Sequence, residues 1–499
     1  MSDIIDALAA GRVTATALTT ACLARIAAFD RAGPMLNAVR ALNPDALAIA
    51  GKLDGTRPSA KRPLAGVPIL LKDNIATGDR QPTTAGSLAL ESARARGDAT
   101  LVKLLRKAGA VILGKANLTE FANILATDMP SGYSSLGGQV KNPYVPTLLD
   151  DRGIPVVDPG GSSSGSAVAV AAGLCAASVG TETSGSLLHP ASRNGIVTVK
   201  PTVGLISRAG IVPIAHSRDT AGPMTRTVRD AAILLNVLAA EDPLDPVTER
   251  QRRPADYTAD LARDAMKGAR IGVPSDPADP LNDSYYGKLP PDGARLMAEV
   301  IKVLEDLGAI IVRAAMPTAG WIGGPGTTMP VLNRNPLSRN KGNLATPPIV
   351  FLYELKHDLN LYLRDWATNT DIKTIADIVA FNDSCRESAA LWPGPVPRRQ
   401  RDQGRFERAR IQIGPGHGPA LRQDARHGRL HEPAKARRRV VPRRHRRRDR
   451  RQGRLSQRHG ARRLRFGRRR QGHARLSARR RLRRESLERA QAAASRLRL

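Results

Sequence analysis

Two short strings concentrate the residues that can do covalent chemistry. Gly160–Ser166 reads GGSSSGS, and Gly180–Ser186 reads GTETSGS, so that Ser186 stands 20 residues beyond the end of the first string. Glycine beside serine suits acyl transfer. A tetrahedral oxyanion is best held by backbone N–H groups on a tight turn. Gly185, between Ser184 and Ser186, permits such a turn and lets a substrate approach the main chain. A serine hydroxyl is a weak nucleophile and needs a base. No GxSxG elbow surrounds Ser186, and no Asp/His pair accompanies it at recognisable spacing. A buried lysine is the other solution, because desolvation leaves it a neutral amine. Lys72 ends the apolar run Gly66–Leu71 (GVPILL) and precedes Asp73-Asn74, a place where an inward-facing lysine can sit. Taken alone, a lysine there is more often on the surface.

Competing readings of the same residues are weaker. A flexible linker separates domains, yet GGSSSGS runs without a polar break into the apolar stretch AVAVAAGLCAASVG. A phosphate-binding loop needs a Gly-Lys-Ser/Thr ending, which is missing. His189 and His216 invite a Ser–His scheme but read better as pocket lining or packing. Cys175 lies in a small-residue helix pattern and reads as buried packing. His357 has no partner at metal-ligand spacing, and Asp219 and Arg226 read as structural residues holding loops near the site. Cys22, Cys175 and Cys385 are far apart in sequence, which excludes a disulfide-rich scaffold and any CxxC metal motif.

The elements that must position these residues follow from periodicity. Apolar residues at helical spacing mark Ala17–Asp30, and Ala99–Lys107 reads as a helix stopped by Gly109. Gly66–Leu71 and Ala110–Leu113 read as buried strands. The small apolar residues after Ser166 suit a closely packed helix and then a strand ending near Val179. Thr227-Val228-Arg229-Asp230 fits a capping box opening a helix through Ala240. Ile271–Val273, Ala294–Leu307 and Ala309–Arg313 read as strand, helix and strand. Alternating strands and helices predict an α/β fold, one large domain with a mixed central β-sheet covered by helices. No internal repeat is present. At 499 residues and 41% hydrophobic content, the chain can bury a sizeable core. Aromatics are only 3%, so that core must be built from Ala, Val, Leu and Ile. No run reaches the ~18–20 apolar residues of a membrane span. The N-terminus MSDIIDALAAGRV carries no signal-peptide pattern, so a cytoplasmic location is expected.

These blocks resemble the amidase signature family. The resemblance rests on Lys72 in GVPILLKDN, GGSSSGSAVAVAAG, GTETSGS, Val199–Gly204 (VKPTVG) and Asp219–Arg226 (DTAGPMTR), in the family's order and spacing, with looser similarity from about residue 4 to 390. It implies a Ser–cis-Ser–Lys triad with Ser186 as nucleophile, Ser162 as the bridging serine in a cis peptide, and Lys72 as the base acting through it. It further implies oxyanion-hole amides from Thr183, Ser184, Gly185 and Ser186, and supporting hydrogen bonds from Ser163 and Glu182. The substrate implied is a small-molecule amide, split to acid plus ammonia or amine without metal or organic cofactor. The chain departs from the family in three places. Many members have Asp where Glu182 stands, Gly where Ser184 stands, and Ile-Arg where Leu187-Leu188 follow the nucleophile. The missing Arg favours a stand-alone amidase over a component of a transfer-RNA-dependent amidotransferase.

Charge divides the chain. Lys+Arg is 78 and Asp+Glu 45, a net of +33. Residues 398–499 hold 36 Arg, one Lys and seven acids, a net of +30, which leaves +3 for residues 1–397. The expected division is therefore a C-terminally incomplete catalytic domain over 1–390 and an Arg-rich, low-complexity tail over 391–499 that does not fold natively. Such a tail offers a rival function, a basic nucleic-acid-binding protein acting on phosphates around a decayed enzyme core. Against it, Lys is nearly absent, stacking aromatics are scarce and the change of texture is abrupt. A shifted reading frame in a GC-rich coding sequence gives the same composition.

Overall fold

A computed structural model describes residues 1–126, 129–273, 289–313 and 349–385. The boundary expected at 390/391 and the Arg-rich tail lie outside the described residues. All described residues belong to one compact unit, Met1–Phe406.

The strands are β1 (Val39–Leu42), β2 (Pro68–Lys72), β3 (Arg94–Ala95), β4 (Val111–Ala116), β5 (Tyr133–Ser134), β6 (Gly138–Gln139), β7 (Ala177–Glu182), β8 (Val197–Thr198), β9 (Thr220–Thr225), β10 (Arg270–Val273), β11 (Ile310–Arg313) and β12 (Ala367–Thr368). Six of them form the central sheet in the order β1-β4-β2-β7-β9-β8. It is mixed. The inner pairs β4/β2 and β2/β7 are parallel, and β1/β4, β7/β9 and β8/β9 are antiparallel.

Strand β2 shows why the sheet is built this way. All five of its residues are buried, as a strand covered on both faces requires. Ile69 and Leu71 pack into the core on one face, with Leu101, Leu105, Leu234 and Leu238. Leu70 packs into the core on the other, with Leu113, Val168 and Val170. This alternation places Lys72 on the Leu70 face.

That face is covered by α5 (Ser164–Ala171). Its residues Ser164 to Val170 are all buried, so the Gly/Ser string is the tightly packed start of a helix and not a linker. The opposite face is covered by α4 (Thr100–Lys107) and α7 (Val228–Leu238). The other labelled helices are α1 (Ser2–Ala9), α2 (Ala15–Arg25), α3 (Ala46–Leu53), α6 (Leu188–Asn194) and α8 (Pro291–Asp306). Two further helices, Ile349–Asp365 and Ile375–Ser384, close over a third apolar cluster that includes Phe121, Val212 and Ile214.

Three details differ from expectation. The helix expected over Ala17–Asp30 is α2 followed by one π turn, Ile26–Asp30, after which the Asp30 carboxylate accepts the N–H groups of Ala38 and Val39 at the start of β1. Thr227 caps α7 by accepting the Asp230 N–H at 3.1 Å, but the reciprocal half of a capping box is absent. The Asp230 carboxylate instead takes the Met1 ammonium at 2.9 Å and the Ser2 N–H at 2.8 Å. A reciprocal box does form where none was expected, between Thr374 and Asp377. Among the described residues, no helix is long and apolar enough to cross a membrane.

Candidate active site

Lys72 is completely buried at the carboxyl end of β2. Its Nζ lies 2.8 Å from Ser162 Oγ, 3.0 Å from Thr181 Oγ1 and 3.3 Å from the Thr181 carbonyl oxygen. Burial pulls its pKa down from 10.5 to about 7, against the opposing pull of Glu182 and Asp219. Ser162 is buried and follows a cis Gly161–Ser162 peptide bond. Its carbonyl accepts the Thr119 N–H at 3.0 Å.

Ser186 lies on the turn between β7 and α6, joined through its carbonyl to Ser163, the neighbour of Ser162. The turn exists because Gly185 takes φ +81°, a conformation in which a side chain is strained. Ser186 is buried, and its carbonyl accepts the Ser163 N–H at 3.3 Å. The hydrogen bonds of the described residues join Lys72 to Ser162 but include none from Ser162 to Ser186. Ser163 Oγ donates to the Thr181 carbonyl at 3.0 Å and accepts the Thr181 N–H at 3.2 Å. Gly180 makes this approach possible, since a Cβ there would sit 2.9 Å from Ser163 Oγ.

Glu182 organises the turn. Its carboxylate accepts the N–H groups of Gly185 at 2.7 Å, Leu187 at 2.8 Å and Leu188 at 3.2 Å. The last two are orphan donors at the start of α6, so a side chain from the preceding strand caps the helix. Of the four amides expected to face an oxyanion, the Gly185 N–H is therefore already engaged. Those of Thr183, Ser184 and Ser186 make no main-chain or side-chain hydrogen bond among the described residues. Thr183 and Ser184 are only half-buried, which leaves this edge open to a substrate.

Asp219 fastens the neighbouring loop. Its carboxylate accepts the Thr183 hydroxyl, the Ile214 N–H at 2.8 Å and the Ala215 N–H at 3.0 Å. Burial pushes its pKa up from 3.8 to about 6 despite these bonds. The remaining residues are distributed as follows. His189 accepts the Gly161 N–H at 3.3 Å through Nδ1, so it supports the loop that carries Ser162. His216 pairs with Asp358 at 2.8 Å, and His357 with the same carboxylate at 2.9 Å. Cys175 is buried, and its thiol is pushed far up by desolvation, away from any nucleophilic role. Arg226 is exposed ahead of α7.

Sequence reasoning missed two participants. Thr181 contacts Lys72 through both its carbonyl and its hydroxyl, and Asn74 Nδ2 donates to that hydroxyl at 3.0 Å. Both lie inside quoted motifs. Only a partner 107 to 109 residues away reveals their role.

The amidase family model matches residues 17–320. The chain belongs to the amidase family. It is 39% identical to a probable amidase of Arabidopsis thaliana over 368 residues, covering 72% of this chain and 64% of the relative. It is 36% identical to a putative amidase of Schizosaccharomyces pombe over 392 residues, covering 76% of this chain and 62% of that one. The chain thus spans a little over three fifths of the length of these curated relatives. Among solved structures, native peptide amidase from Stenotrophomonas maltophilia is 39% identical with a TM-score of 0.63, over 81% of this chain and 78% of that one. An amidase family protein from Bacillus anthracis is 36% identical with a TM-score of 0.64, over 77% of this chain and 68% of that one. The mixed sheet and helical layers are those of an amidase fold.

Proposed function

We propose that this amidase-family chain hydrolyses a carboxylic amide by a Ser–cis-Ser–Lys mechanism. The observation that carries the reading is a completely buried lysine, held near neutral, 2.8 Å from the bridging serine. A neutral amine has two N–H bonds and one lone pair. The Thr181 carbonyl and hydroxyl accept the two N–H bonds, which turns the lone pair toward Ser162. Ser162 passes its proton to Lys72 and takes one from Ser186. Ser186 Oγ then bonds to the amide carbon, and the oxyanion is held by the N–H groups of Thr183, Ser184 and Ser186. Collapse breaks the C–N bond, and the proton returns through the relay to the leaving nitrogen. Water, activated by the same relay, attacks the acyl-Ser186 ester and releases the acid.

Labelling of the purified chain with a fluorophosphonate tests this. Wild type is expected to label and Ser186→Ala to lose the label entirely. A folded wild-type chain that does not label overturns the reading.

The Arg-rich composition after residue 391 we assign to a shifted reading frame. Sequencing the coding DNA across codons 385–400 decides it. A one-base shift there that restores an apolar, Tyr- and Trp-containing continuation supports the assignment, and its absence sinks it.

A further inference from the structure

Helix α6 begins just after Ser186, and two of its side chains reach back to the loop that carries Ser162. Asn194 Nδ2 donates to the Pro159 carbonyl at 2.7 Å, and His189 Nδ1 accepts the Gly161 N–H at 3.3 Å. The main chains also meet there. Gly160 takes φ +73°, and a Cβ on it would lie 2.5 Å from Pro190 Cα. One short helix is thus joined to Ser186 through the chain itself and to Ser162 through the residues before it. The two ring nitrogens of His189 have unequal tasks. Both face N–H donors, Nδ1 the Gly161 amide and Nε2 the Arg193 Nε–H at 3.5 Å. A neutral imidazole offers one acceptor nitrogen, and an imidazolium offers none. Arg193 is exposed and can turn to water, whereas the Gly161 amide is fixed by its loop. The form that fits is therefore the neutral ring with its proton on Nε2 and its lone pair on Nδ1.

We propose that His189 is a positioning residue for the proton relay, in which Nδ1 holds the Gly161 N–H and so fixes where Ser162 Oγ stands between Lys72 and Ser186. The inference rests on the amide-hydrolase reading above. The relay needs Ser162 Oγ within hydrogen-bond reach of two partners, and its bond to Lys72 sets only one of those distances. The other depends on the path of the loop relative to the Ser186 turn. His189 ties the residue next to Ser162 to the helix that follows Ser186, and so sets that path. The imidazole does not touch the reacting atoms and acts only through the loop. A packing role is the rival. It would depend on the volume of the ring and not on which of its nitrogens accepts a proton.

Asparagine and glutamine separate the two nitrogens, because the amide oxygen of Asn falls near the place of Nδ1 and that of Gln near the place of Nε2. The test follows fluorophosphonate labelling of Ser186 in wild type, His189→Asn, His189→Gln and His189→Leu, with the maximal labelling rate measured apart from probe binding. Thermal unfolding of each variant runs beside it. His189→Leu and His189→Gln are expected to lower the maximal rate by roughly three- to tenfold, the worth of one hydrogen bond, with probe binding unchanged. His189→Asn should keep the wild-type rate. Hydrogen–deuterium exchange at the Gly161 amide should quicken in the Leu and Gln variants and not in the Asn variant. Equal losses in Asn and Gln make the ring mere packing and overturn the proposal. So does a Leu variant that labels at the wild-type rate. If the Leu variant does not fold, the contrast between Asn and Gln decides alone. A folded wild type that does not label fails earlier, at the amide-hydrolase reading itself, and takes the proposal with it.

Discussion

Two completely buried lysines stand on adjacent strands of the central sheet, and their surroundings differ. Lys72 ends β2 on the face covered by α5. Lys115 on β4 pairs in register with Leu71 and so faces the other side. Burial pulls both down from 10.5, to about 7 for Lys72 and about 8 for Lys115. Desolvation alone therefore does not mark the proposed base. The neighbours do. Lys115 Nζ donates to the Ile75 carbonyl and to Thr83 Oγ1, with Asp73 as its leading opposing charge, and so ties down the loop after β2. Lys72 has Thr181 to occupy its N–H bonds and a serine hydroxyl at its remaining side. A shifted pKa becomes a base only where a proton donor with an onward partner stands in front of it.

The sharpest way to break this comparison is to remove each amine in turn. Lys72→Met is expected to lower kcat by roughly 10²- to 10⁴-fold, the usual worth of a general base, while the chain stays folded by circular dichroism. Lys115→Met should keep fluorophosphonate labelling and show its effect in thermal unfolding. Loss of labelling in a folded Lys115→Met chain contradicts the division of roles.

A loosened Ser186 turn comes next in size. Glu182→Gln keeps one good acceptor where three N–H groups now converge on a carboxylate. A fall of about a hundredfold in kcat is expected, the cost of an ångström of misplacement. An unchanged kcat would show that the turn holds its shape without the carboxylate.

Thr181→Val has a smaller effect with a diagnostic direction. It removes one acceptor from Lys72, so kcat should fall by roughly tenfold. The same acceptor favours the charged amine, so the acid limb of the pH–rate profile should move to lower pH. A limb that stays put, or moves up, refutes the assigned hydrogen bond.

The smallest signals lie in the pH dependence. Lys72 is neutral above its native pKa, so kcat/KM should rise with pH through about 7 and then level. Stability gives a separate reading. An unfolded lysine holds its proton up to 10.5, whereas native Lys115 loses its proton near 8. Between these values the unfolded state binds more protons, so stability rises with pH. Lys72, drawn down further, adds a rise of the same sign, so Lys115→Met should reduce the rise without abolishing it while leaving the limb near 7 in place. Movement of the limb in this variant would mean that the two lysines share one function.

Legibility in the sequence followed the range of each interaction. The strand of Lys72 could be read because a fully buried parallel strand needs a continuous apolar run, and GVPILL supplies one. The helix after GGSSSGS could be read from small apolar residues that suit close packing. The capping of α7 was read only in part, because Asp230 is claimed by Met1 and Ser2, more than 220 residues away. The Gly185 amide could not be assigned from its motif. Glu182 and Gly185 are three positions apart, but a hydrogen bond between them depends on the turn that Gly185 itself makes.

The amino-acid sequence by itself determined which residue types are available, that the first four fifths can bury an aliphatic core, and the spacing that identifies the family. The tertiary structure alone decided what each polar atom faces. It turned Lys72 and not Lys115 toward a serine, and it set Thr181 against both N–H bonds of the amine. The physical reason is that strand pairing and core packing select a face for every side chain, and a hydrogen bond exists only after two such choices, made far apart in the chain, bring a donor and an acceptor within about 3 Å.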